Sequence, residues 1–113
     1  MDQEQFKDIV NDMFEKCKQL LINKNVEYAR GQDKLHNFKK AARFRNIPDE
    51  EALAGMMLKH TTSVYDYIDD LSKDKHHNLE SWDEKIVDHI NYLLLLRGLL
   101  EERYEVKTSI LEE

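Results

Sequence analysis

Glu84, Asp88 and Asn91 stand four and three residues apart. On a helix that spacing sets them in one narrow polar line, which Leu95 continues. The adjoining leucines Leu93, Leu94, Leu95 and Leu96 point almost all the way round the same helix, so the segment calls for burial on most sides. A carboxylate and an amide that lead into buried surface need partners or a ligand, because desolvating them unpaired is costly. Glu84 has a local alternative: Ser81 three residues earlier completes a capping-box pattern, in which the acid returns a hydrogen bond to the helix start. Asp88 and Asn91 have no such local role, and neither favours a helix interior.

A second polar line, Lys59, Ser63, Asp66 and Asp70, borders an apolar stripe in the middle of the chain. Lys59 could neutralise phosphate charge there. His60, flanked on its own face by Met56, Met57 and Val64, is either a satisfied core histidine or a general acid/base. Asp66, Glu84 and Asp88 make a hard-oxygen set of the kind Mg²⁺ takes, usually with retained waters and a substrate phosphate. Asp69 has carboxylate-pair spacing with Asp66 but projects away from the core. His76, His77 and Glu80 could hold a transition metal, though adjacent histidines in a polar connection are ordinarily solvated. The run from Lys34 to Lys40 places His36, Asn37 and Lys39 around Phe38, a core anchor or a stacking surface for a base. Lys24 and Tyr28 lie close to that turn and could line the same pocket.

Positioning these groups requires helices. Phe6, Ile9, Val10, Met13, Cys17, Leu20 and Leu21 recur at three- and four-residue steps, which predicts a helix over 3–30 stopped by Gly31. A turn follows at 31–34, then a short helix over 36–44 that buries Phe38, Ala41 and Ala42. Pro48 with Asp49, Glu50 and Glu51 marks a helix start, and the apolar stripe runs from there to Leu71. The last helix is expected over 81–104, with the final residues frayed. No β-alternation and no repeat appears, so the expected class is all-α. The architecture is three long helices and one short one in an antiparallel bundle, a single domain over 1–113 with its ordered core over 3–104. The leucine-rich last helix carries more apolar surface than two partners cover, which predicts completion by a homodimer.

The chain has 113 residues, 35% of them charged, with a net charge of −6, three glycines and one proline. That balance excludes general attraction to nucleic acid or anionic membrane, the basic stretch from Lys34 to Arg45 being the local exception. The lone Cys17 falls on a core-facing position and reads as a small buried hydrophobe. The acidic, polar start and the short apolar runs predict a cytoplasmic protein without a membrane span.

Taken in order, Lys24-Asn25-x-x-Tyr28, His36-Asn37-Phe38-Lys39 with Ala41-Ala42, Gly55-Met56-x-x-Lys59-His60-x-x-Ser63 and Asp88-x-x-Asn91-Tyr92 resemble small helical proteins encoded by phages. They are also similar to the first of the nucleotide-modification-associated domain families, over residues 23–100. A more remote likeness is to the MazG-like all-α nucleoside triphosphate pyrophosphatases, whose paired acidic motifs on successive helices hold Mg²⁺. Here the corresponding helices offer Asp66 and Glu84-x-x-x-Asp88. The resemblance implies a helical, oligomeric, nucleotide-related protein, in the host cytoplasm if phage-encoded.

Two functions follow as expectations. In the first, a nucleotide or nucleotide derivative binds between helices, over Lys59, Asp66, Asp88 and Asn91, with Tyr28, His36, Asn37, Lys39 and Ser63 contributing. Its enzymatic version is Mg²⁺-dependent phosphoanhydride hydrolysis, with Lys59, His60 and Asp88 as the catalytic groups and Asp66, Glu84 and Asp88 on the metal. In the second, the protein is a non-catalytic helical assembly or adaptor protein, and Lys59, Ser63, Asp88 and Asn91 form a buried polar network that specifies pairing.

Overall fold

The computed structural model describes residues 1–23, 33 and 35–112, with side chains for residues 1–22, 33 and 35–105. Four helices make up these residues: α1 (Gln3–Asn23), α2 (His36–Arg45), α3 (Asp49–Ser72) and α4 (Leu79–Glu112). The all-α expectation of three long helices and one short one holds among the described residues. The expected run of α1 to Arg30, its stop at Gly31, and Lys24 and Tyr28 lie outside them.

The helix starts and the end of α2 have local causes. Asp2 and Gln5 form a reciprocal cap on α1: the Gln5 amide donates to Asp2 Oδ1 and the Asp2 amide to Gln5 Oε1, both at 2.8 Å. Before α2, Asp33 Oδ1 accepts from the Leu35 amide at 2.9 Å. Asn46 then closes α2 in the left-handed region (φ 54°), and the Ile47 amide reaches back to the Ala42 carbonyl at 3.0 Å. Pro48 is the N-cap of α3, with Asp49, Glu50 and Glu51 in the first turn against the helix dipole. The start of α4 corrects the sequence reading. Asn78 Oδ1 accepts from the Ser81 amide at 2.7 Å, so Asn78 caps the helix and Ser81 lies inside it. Glu84 is therefore not the acid of a capping box. At the other end α4 continues to Glu112, beyond the expected end at Tyr104.

Leu35, Phe38, Leu53 and Leu99 form the buried centre, with Met57, Tyr92, Leu95 and Leu96 packed against it. Leu53 is fully enclosed, and Leu35 packs over Gly98 of α4, where an added Cβ would meet a Leu35 methyl at an ordinary contact distance of 3.7 Å. α3 and α4 are antiparallel, stitched by Tyr67 to Ser81 at one end, Thr61 to His89 in the middle, and a two-bond Glu50–Arg103 pair at the other. α1 runs the opposite way to that expectation. Lys16 bonds Asp83 at 2.9 Å, and Leu20 and Leu21, a turn further along α1, border a groove with Asp88, Asn91 and Leu95. α1 thus advances along α4 in the same direction. Short connections enforce antiparallel packing only between consecutive helices, and α2 and α3 intervene here.

One result is an elongated body, 56 × 33 × 26 Å, with a radius of gyration of 17.1 Å. A compact chain of this length would have about 13 Å. Cys17 anchors α1 in the core, whereas Phe6, Ile9 and Phe14 stay exposed on its first half. No helix among the described residues is long and apolar enough to cross a membrane.

Candidate functional site

Where α1, α2, α3 and α4 meet, a groove of about 280 Å³ opens beside the core. Leu20 and Leu21 of α1, Phe38 of α2, Met56 of α3, and Tyr92 and Leu95 of α4 make it largely apolar. Four polar side chains reach it: Asn37, His60, Asp88 and Asn91. The helical spacing read from the sequence puts Asp88, Asn91 and Leu95 on this one side of α4, as expected. Glu84, the first member of that line, is exposed and borders a separate depression with Lys16, Asp83 and Asp88. Asp88 stands between the two.

The central group is Asn91. It is 6% exposed, and its Oδ1 is buried without a hydrogen-bond partner. An unpaired buried amide oxygen costs roughly 1–3 kcal/mol, so its persistence at the floor of a groove marks an acceptor offered to something else. His60 lies nearby, its ring 4.6 Å from that of Tyr92 at a tilt of 36°, and its Nδ1 is 3.8 Å from Asp88 Oδ2. Phe38 meets the Tyr92 ring edge-on at 5.9 Å. The groove is therefore lined by aromatic surface, the buried amide of Asn91 and one carboxylate, with no lysine or arginine among its described lining residues.

The remaining expected site residues fall elsewhere. Lys59, Ser63 and Asp66 share a shallow depression on α3 with Gly55, Leu58 and Thr62, away from the groove. The structure does not bring Lys59 and Asp66 to Asp88 and Asn91, because His60, the next residue along α3, takes the inward position. Nor does it gather Asp66, Glu84 and Asp88: among the described residues no three histidine, cysteine or acidic side chains come close enough to hold a metal. The four-residue polar network expected of Lys59, Ser63, Asp88 and Asn91 is not assembled either.

Lys39 serves as a tether, bonding Asp33 Oδ2 at 3.0 Å and Glu102 Oε2 at 2.8 Å, and these two carboxylates raise its pKa. His36 opens α2, and Asn37 alone of that loop's expected set lines the groove. Tyr28 lies outside the described residues. His77, far from binding a metal with His76 and Glu80, stacks on Tyr67 with ring centres 3.7 Å apart and bonds Asp70 at 2.8 Å. His76 pairs with Asp74.

Sequence reasoning missed Tyr92 as groove wall outside the motif resemblance, and missed Leu20 and Leu21 altogether. Only the parallel course of α1 brings those two leucines there, and periodicity carries no signal for direction. The Thr61–His89 hydrogen bond, 2.9 Å across α3 and α4, was likewise silent in the sequence. Compared with known proteins, the chain matches no family model, no curated protein and no solved structure.

Proposed function

We propose that this chain binds a nucleobase or nucleoside, ring end inward, in the groove between its helices. The observation that carries the reading is the buried, unpartnered Asn91 Oδ1. An exocyclic amine or ring N–H of a base supplies the missing donor, and Tyr92 with His60 offers a flat aromatic surface beside it. The groove lies at the small end of ligand sites, which run roughly 300–1,000 Å³. A base or nucleoside fits that space, while a triphosphate tail would project beyond it into a setting with Asp88 and, among the described lining residues, no cation. The same oxygen weighs against a purely architectural network, since a finished network would have paired it. Mg²⁺-dependent phosphoanhydride hydrolysis is the less supported version, because Lys59 and Asp66 occupy a separate depression.

The test is a thermal-shift screen of the whole protein against bases, nucleosides and nucleoside triphosphates, each with and without Mg²⁺. Ligand at a hundred times its Kd contributes about 2.7 kcal/mol of stability. The expected pattern is equal shifts for a nucleoside and its triphosphate, independent of Mg²⁺ and abolished by Asn91→Leu. No shift from any compound would refute the proposal, and pyrophosphate release requiring Mg²⁺ would move the assignment to the hydrolase.

A further inference from the structure

The outward side of α4 is apolar where a solvated helix would be polar. Ile86, Leu93 and Leu94 are 36%, 48% and 42% exposed. Across the Thr61–His89 bond, α3 adds Leu58, Tyr65 and Ile68, at 63%, 68% and 50%. At three-, four- and seven-residue steps Leu58, Tyr65 and Ile68 flank Thr61, and Ile86 and Leu93 flank His89, so these five border the bond on the two helices, with Leu94 further round α4. Their exposed parts amount to on the order of 600 Å², at the top of what a monomer leaves in one patch and near the ~800 Å² each partner gives a standard interface. A helix apolar on nearly all sides belongs in an interior.

We infer that a second copy of this chain covers that face, the two α4 helices packing antiparallel about Ile90. This surface is separate from the groove and does not rest on what the groove binds. In that register Ile90 meets its own counterpart and Ile86 meets the partner's Leu94. Between Asp83, which holds Lys16 of α1, and Arg97 the outward positions of the stripe carry no charge. The pairing is self-complementary, as a two-fold dimer requires.

Sedimentation equilibrium of the full chain at tens of micromolar is expected to give twice the chain mass of 13.5 kDa. The double variant Ile86→Glu with Leu93→Glu is expected to weaken self-association at least 100-fold with unchanged helical circular dichroism. As a second readout that survives poor folding of that variant, Ile90→Cys is expected to form an intermolecular disulfide on mild oxidation, whereas Tyr104→Cys is not. A monomeric wild type, a dimer that persists in the folded double variant, or cross-linking through Tyr104→Cys and not Ile90→Cys would overturn the inference.

Discussion

Replacing Asn91 by leucine separates a groove built for a ligand from a core held by polar contacts. Asn91 Oδ1 is buried and unpaired, and Leu95 and Tyr92 adjoin it along the groove. Leucine has nearly the same shape, so it leaves no cavity while removing an acceptor whose desolvation costs roughly 1–3 kcal/mol. The entropy of unfolding for a chain of this size is on the order of 0.24 kcal/mol/K, so each kcal/mol moves Tm by about 4 °C. Without ligand, Asn91→Leu should therefore melt about 4–12 °C above wild type at equal protein concentration. Trp82 fluorescence and circular dichroism should report the same midpoint. A fall in Tm would refute the reasoning, because it would mean that Asn91 makes contacts the fold depends on.

Two further outcomes follow from the boundaries and ion pairs. Asn78→Ala should cost about 1 kcal/mol in chemical denaturation by removing the cap of α4, while Glu84→Gln should change stability by less than about 0.5 kcal/mol. The pH profile should show an acid limb. Arg103 lowers the Glu50 pKa, the Leu35 amide and Lys39 lower that of Asp33, and His77 lowers that of Asp70. Depressed carboxylates contribute stability above their unfolded pKa values, about 4, and lose it as pH falls through the lower folded values. Denaturant midpoints should therefore drop below about pH 4, and less steeply in Glu50→Gln, whose midpoint at pH 7 should be slightly lower.

Helix identity was legible because three- and four-residue apolar spacing depends only on local geometry. Cys17, Phe38 and Leu53 were placed inward on that basis and are buried. Capping was less legible, since it turns on which of several polar residues sits at the boundary. Ser81–Glu84 and Asp2–Gln5 show the same pattern, and only the second is a reciprocal cap, because Asn78 claims the start of α4 first. The candidate site was half visible. Asp88 and Asn91 stood out as polar groups leading into leucines, but their partner on α3 depended on which of Lys59 and His60 faces inward. One residue is 100° of helix, and the neighbouring chain that decides it leaves no local trace.

The parallel course of α1 has a dynamic consequence. Its second half supplies Leu20 and Leu21 to the groove, while its first half projects with Phe6 and Ile9 in water. Among the described residues the wall of the groove is fastened by buried Cys17 and the Lys16–Asp83 ion pair, and the α3–α4 pair behind it by hydrogen bonds along its length. Lifting that wall costs the docking energy of a single helix half rather than the stability of the domain.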